Sequence, residues 1–358
     1  MKRAANSIRF ANTADGVRLA WTVSGSGPPL VKAANWLTHL DYDRTSPVWS
    51  HWYRFLSTNF RYYHYDERGI GMSQHDCEDL SHRTWPHDLE TVIAAAKPPK
   101  PFVLLGISQG CGASMAYAAQ HPEDVSHLVI YGGYVKGWGL REPEELRRRE
   151  AVRELVELGW GTANPVFRRL YTSMFLPDGT EEQLAWFDEL CARSTTPQLA
   201  ARIMGEQSQA DFSDLPERVA VPTLVIHCRD DGVVPFSQGV EIAARIPNAE
   251  FVQIESRNHI LQADEPGWPL LQDLVLEFTG HRGGAEDPVF GELSDREREV
   301  LACIAAGCSN ADISARLFIS EKTVKNHITH IFEKLGVANR SQAIVKARDG
   351  GFRGGEAG

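Results

Sequence analysis

Residues 101–120, PFVLLGISQGCGASMAYAAQ, decide the architecture. The apolar run PFVLLG suits a strand covered on both faces, and CGASMAYAAQ suits a helix of small side chains packed close behind it. Ser108 stands at the junction, with Gly106 and Gly110 two residues away on either side. A serine on so sharp a strand-to-helix turn needs neighbours without bulky side chains, and the turn lifts its hydroxyl above the strand ends. The backbone N–H of Gln109 then supplies half of an oxyanion hole.

Working outward, short β-rich runs alternate with longer helical stretches through the first 280 residues. The expected strands are VRLAWTV, PLVKAA, RYYHYD, PFVLLG, HLVIYG, PTLVIH and EFVQIE. This alternation predicts an α/β domain over residues 1–280 with a mostly parallel sheet. Between Gly133 and Leu215 the strands stop and charged helical sequence such as REPEELRRREAVRELVELGW takes over, predicting a helical lid over about 139–215. An acid and then a histidine are expected downstream of Ser108. Asp230 and Asp231 follow one strand and His259 follows the next, in that order. A single loop Asp commonly caps a turn and a single loop His is commonly just exposed, but the set in this order points to nucleophilic catalysis.

These features resemble the α/β-hydrolase superfamily from about Ser7 to Gly280, including HYDERGIGMSQ, which is similar to that family's strand-end loop at Asp66 to Ser73. The resemblance implies Ser108 as nucleophile and His259 as general base. The spacing before VVP favours Asp231 as the orienting acid, with Asp230 as the alternative. By position, the Trp36 N–H is the second oxyanion donor. Such hydrolases usually carry His-Gly just before that donor, whereas this chain has Ala34-Asn35. A side chain in place of Gly restricts the turn, so a misshapen hole and slow catalysis are expected. Trp36 is expected to wall the pocket, and Trp138, Trp160 and Phe175 are candidates for pocket, lid or plain core.

The segment HRGGAEDP is rich in Gly, Pro and charge, so a linker is expected over 281–290 and a second domain over 291–358. Ser294 with Glu297 forms a capping box ahead of Val300, Leu301 and Ile304. A second helix starts at Ser309 and Asp312, FIS at 318–320 makes a short turn, and a third helix is predicted over Glu321–Leu335. In that helix Val324, Ile328, Ile331 and Leu335 share one face, opposite Lys322, Asn326, Thr329 and Glu333 with Lys325 on the flank. A fourth helix, SQAIVKAR, follows Gly336. An amphipathic bundle that merely packs would show the same periodicity. The whole run LSDREREVLACIAAGCSNADISARLFISEKTVKNHITHIFEKLGVANRSQAI, however, resembles the LuxR/GerE family, a small all-α four-helix helix-turn-helix domain. That resemblance makes the third helix the recognition helix and Lys322, Thr323, Lys325, Asn326 and Thr329 the candidate contacts to double-stranded DNA, Lys325 to phosphate. It also implies a homodimer formed through the last helix. His327 and His330 read as packing or phosphate-adjacent residues.

The net charge of −10 argues against nucleic acid binding only if spread evenly. Residues 291–358 hold ten Lys/Arg against nine Asp/Glu, which leaves 27 against 38 upstream, so the acidity belongs to the first domain. Six cysteines without CxxC or Cys/His spacing suggest no zinc site and no disulfide framework, and no metal or cofactor is expected. The start MKRAANSIRF lacks the apolar core of a signal peptide and no stretch is apolar enough for a membrane span, so a cytoplasmic location is expected. Three functions fit: a transcriptional regulator that senses a small molecule in a hydrolase-like pocket, a working serine hydrolase for esters or lactones, and a module that only docks proteins.

Overall fold

The computed structural model describes residues 7–280 and 288–352 apart from 306, 318, 350 and 351. The chain divides into two compact units, one through His281 and the other from Arg282.

In the first unit, strands β1 (Arg9–Asn12), β2 (Arg18–Ser24), β3 (Pro29–Lys32), β4 (Arg61–Tyr65), β5 (Phe102–Ile107), β6 (Val125–Tyr131), β7 (Thr223–Cys228) and β8 (Glu250–Ile254) form one sheet in the order β1-β2-β4-β3-β5-β6-β7-β8. Pairing is antiparallel for β1–β2 and β2–β4 and parallel elsewhere. Every residue of β5 and of β7 is buried, as continuous apolar runs require when helices cover both faces. All seven expected strands are present. The eighth, β1, is only four residues long with a mixed pattern, too short to show a period, and pairing with β2 is what makes it a strand. Helices α1 (Ser50–Asn59), α2 (Thr84–Ala96) and α3 (Gly110–Gln120) pack with the sheet. The region expected as a lid contains α4 (Pro143–Gly159), α5 (Val166–Phe175), α6 (Glu181–Ser194) and α7 (Pro197–Gln209). Its two ends meet where Lys136 bridges Asp211 and the Gly137 N–H donates to the Ala210 carbonyl at 2.7 Å. Helices α8 (Phe236–Arg245) and α9 (Gly267–Phe278) complete this α/β-hydrolase-like unit.

The second unit is all-α, with α10 (Asp295–Ala305), α11 (Asn310–Leu317), α12 (Glu321–Leu335) and α13 (Arg340–Asp349). Val324, Ile331 and Leu335 of α12 are fully buried with Val300, Leu301, Ile304 and Ile313, while Ile328 lies at the edge of this core. Burying each such side chain contributes about 1.5–3 kcal/mol. Most of the segment expected as a linker lies outside the described residues. Of its last positions, Phe290 is completely buried in the core of the small unit.

Candidate functional site

Ser108 is half-buried and has φ of 51°, a left-handed conformation that a non-glycine residue adopts only when its surroundings impose it. Its N–H donates to the Tyr131 carbonyl at the end of β6 at 2.8 Å. The flanking glycines serve close approach. A Cβ at Gly106 would lie 2.8 Å from Cα of Cys111, and one at Gly110 would lie 2.7 Å from the Ala34 carbonyl oxygen. Helix α3 can therefore press against both its own strand and the loop after β3.

Asp231 and His259 meet at the same strand ends. A Cβ added to Gly132, next to Tyr131, would be 3.1 Å from Cε1 of His259 and 3.6 Å from Oδ2 of Asp231. Nδ1 of His259 pairs with Oδ2 of Asp231 at 2.7 Å, and both side chains are almost fully buried. Oδ1 of Asp231 accepts the N–H groups of Val233 and Val234 at 2.7 and 2.9 Å, which leaves this carboxylate oriented from both oxygens. Burial raises the Asp231 pKa, but the charge and hydrogen bond of His259 outweigh it and hold the carboxyl below its usual value. Asp230 makes no comparable contact among the described residues. Nε2 of His259, the nitrogen a general base would use, is buried without a hydrogen-bond partner among the described residues.

A residue outside the expected set stands behind this pair. His227, at the end of β7, is completely buried, with Nε2 3.1 Å from the Val234 carbonyl and 3.7 Å from Oδ2 of Asp231. Burial lowers its pKa. Its position four residues before Asp231 in LVIHCRDD was visible, but a strand histidine gives no pattern that separates it from core.

Beside Ser108, neither the N–H of Trp36 nor that of Gln109 donates to a protein acceptor among the described residues. Asn35 lies outside the left-handed region, where Leu37 sits instead with φ of 56°. Its side chain turns away, with Oδ1 accepting from the buried Lys32 ammonium and Nδ2 donating to the Trp36 carbonyl at 3.2 Å. Burial pulls Lys32 down to about 8. On the other flank, the Gln109 amide donates to Oε1 of Glu67 at 2.7 Å and accepts from the Gln207 amide at 2.5 Å, tying the elbow to α7. Burial pushes Glu67 up to about 8.

The cavity over Ser108 and Gln109 is small, about 50 Å³, and is walled by Trp36, Tyr134, Trp138, Tyr171 and Phe175. Helix α5 closes it. Nε1 of Trp36 donates to the Tyr171 hydroxyl, the Phe175 ring meets His259 edge-on at 5.6 Å, and the Phe175 carbonyl accepts the His259 N–H at 2.9 Å. Trp160 packs behind, against Trp36 and Tyr171, and donates to the Cys191 carbonyl at 2.9 Å, which makes it lid core. A second cavity of about 680 Å³ lies under α4 and α5. Arg149 and Val233, which touch through a hydrogen bond from the guanidinium to the carbonyl, line both cavities and so form the wall between them.

In the small unit, the Ser320 hydroxyl caps α12 by accepting the Thr323 N–H at 3.1 Å, and Gly336, with φ of 64°, ends it. Lys322, Lys325, Asn326 and Thr329 are exposed, and neither lysine has an ion pair among the described residues. Thr323 is half-buried and engages Ser320, so its hydroxyl is already occupied in part. At the opposite end Lys334 donates to Oε2 of Glu297 at 2.6 Å. Burial opposes ionisation of Glu297, but Lys334 and the Ser294 capping bonds bring its carboxyl down to about 2. This ties α12 to the start of α10.

Comparison with known proteins divides the chain in the same way. Residues 50–265 match the model of the serine aminopeptidase, S33 family, and residues 291–347 match that of bacterial regulatory proteins, luxR family. The chain is 25% identical over 255 residues to pyrrolizixenacetamide deacetylase of Xenorhabdus hominickii, covering 70% of this chain and 90% of that protein. It is 45% identical over 124 residues to the uncharacterized transcriptional regulatory protein YhcZ of Bacillus subtilis, covering 35% of this chain. That match spans 58% of the regulator, less than two thirds of its length. Among solved structures, an esterase from Exiguobacterium antarcticum superposes with a TM-score of 0.63 at 21% identity, over 76% of this chain and 98% of that one, a likeness of fold.

Proposed function

Because the chain belongs to the serine aminopeptidase, S33 family and carries a luxR-family regulatory domain behind it, we propose that it is a one-component transcriptional regulator whose hydrolase-like domain binds a small acyl compound. One observation carries the reading: a single chain joins a cavity lined by Ser108, beside strand ends that hold the buried His259–Asp231 pair, to a helix that leaves Lys322, Lys325 and Asn326 exposed. Those residues, with Thr323 and Thr329, contact double-stranded DNA, the lysines neutralising phosphate and the amide reading a base edge. The protein works in the cytoplasm as a homodimer.

The narrowness of the cavity supplies the coupling. A space of about 50 Å³ holds only a few waters, so an acyl ligand needs the helices beside it, α4 and α5, to move. Ligand binding therefore favours a different lid position, and a ligand shifts an equilibrium only through such a difference. The test compares binding of the purified protein to DNA around its own gene with and without covalent occupation of Ser108 by a fluorophosphonate, recording salt dependence. A change in affinity on labelling supports the reading. Specific binding that ignores the label removes the sensing part.

Serine hydrolysis is the second reading, favoured by the 2.7 Å pairing of His259 with Asp231 and the two free N–H groups near Ser108. Here the Ser108 hydroxyl oxygen attacks the acyl carbon while Nε2 of His259 takes its proton. The N–H groups of Trp36 and Gln109 hold the negative oxygen. Collapse of that intermediate expels an alcohol or amine carrying the proton from His259 and leaves an acyl-Ser108 ester. Water, deprotonated by His259, then releases the acid and restores the serine. Lack of labelling at Ser108 by a fluorophosphonate would remove this reading.

A further inference from the structure

Resting on the reading of the Ser108 cavity as a ligand site, we propose that its ligand is an acyl compound bearing a carboxylate, held by Arg141 and Arg149 at the lid end of the cavity. Both arginines line the cavity together with Ser108, and both are mostly buried, with side chains 8% and 13% exposed. They share one acid, Glu145, at 2.9 Å from Nη1 of Arg141 and 3.8 Å from Nε of Arg149.

The other carboxyls nearby are committed. Asp231 faces His259 and His227, and Glu67, pushed up to about 8 by burial, is neutral at pH 7 behind Gln109. Glu145 is the one carboxylate within ion-pair distance of the two guanidiniums among the described residues, and a buried guanidinium without a full set of partners costs free energy. Donors remain as well. Arg141 spends Nε on the Lys136 carbonyl and Nη1 on Glu145, and Arg149 spends Nη2 on the Val233 carbonyl. Nη2 of Arg141 and Nη1 of Arg149 donate to no protein group among the described residues. The Tyr134 ring, 5.3 Å from the Arg141 guanidinium carbon, fixes the orientation of that group. Planar guanidiniums with spare N–H groups suit a carboxylate, while the aromatic wall takes the carbon chain that reaches Ser108.

The test measures binding of monomethyl glutarate and dimethyl glutarate to the Ser108→Ala protein by calorimetry, in parallel with Arg141→Gln and Arg149→Gln in that background. The monoanion is expected to bind at least tenfold tighter, this preference to fall at least tenfold in each Gln variant, and Arg149→Lys to keep part of it. Equal affinity for the two esters, a preference that survives both Gln substitutions, or no binding of either at millimolar concentration overturns the proposal. Wild-type turnover of mono-p-nitrophenyl glutarate against p-nitrophenyl butyrate separates this from the hydrolase reading. Anion-selective binding without turnover keeps the carboxylate site and removes the hydrolase. Unselective turnover without anion preference in binding does the reverse.

Discussion

The two functional regions are built on opposite principles. Around Ser108 nearly every polar group is buried, and its protonation follows from what surrounds it, as with Glu67, Lys32 and His227. On α12 the polar groups stand in water, and the work of the fold is confined to the buried side of the helix. A buried site can change the properties of its groups, which chemistry and ligand discrimination need. An exposed helix keeps them ordinary, which suits a surface that must meet a charged, hydrated partner.

That contrast breaks most sharply at Ser108. Ser108→Ala is expected to abolish fluorophosphonate labelling and to lower any ester turnover by about a thousandfold or more, while DNA binding without ligand stays unchanged. Loss of DNA binding in that variant would mean that the two regions are not separable.

Glu67→Gln probes the buried side by pH. The Glu67 carboxyl is pushed up to about 8 in the fold against 4.5 for the free group, so the folded form holds a proton that the unfolded form has released. Its stability contribution is intact below 4.5 and declines as pH rises from there through 8. The Gln variant should therefore be more stable than wild type by up to ~3 kcal/mol at pH 7, with the gap closing below pH 4.5. All nine tryptophans lie between positions 21 and 268, so their fluorescence during urea unfolding reads this domain alone.

Glu297→Gln applies the opposite sign to the small domain. Its carboxyl is depressed to about 2, so its stabilisation is complete above 4.5 and lost as pH falls toward 2. The substitution should weaken amide protection in α10 and α12 by about 1–3 kcal/mol at pH 7, read by hydrogen exchange, and the difference from wild type should shrink in acid. The smallest effect belongs to Lys325→Ala. DNA affinity is expected to fall about three- to tenfold at low salt, and the slope of log affinity against log salt to decrease by about one. An unchanged slope would mean that Lys325 faces no phosphate.

Much of this was legible in the residues because local rules produced it. The capping box at Ser294, the stop at Gly336 and the α12 stripe are short-range features, and all appear, with Ile328 moved to the edge of the core by the packing of its neighbours. The elbow was legible for the same reason, since strand, turn and helix are contiguous. Asn35 illustrates the limit. Reading it as Gly replaced predicted distortion of the turn, yet the left-handed position falls on Leu37 and the Asn35 side chain is drawn to Lys32. Arg141 and Arg149 are not singled out within the charged run REPEELRRRE, because nothing in a helical pattern says which arginine a lid will carry inward.

By itself, then, the sequence determined the order of strands and helices, the Ser108 turn, the second domain and the exposed face of α12, all governed by interactions between residues close in the chain. Only the tertiary structure decided the contact of Asp231 with His259, the backing by His227, the narrow space over Ser108 and the two arginines in its cavity. Those depend on groups tens to more than a hundred residues apart brought into a buried space, where distance and desolvation set their chemistry and no local pattern records the outcome.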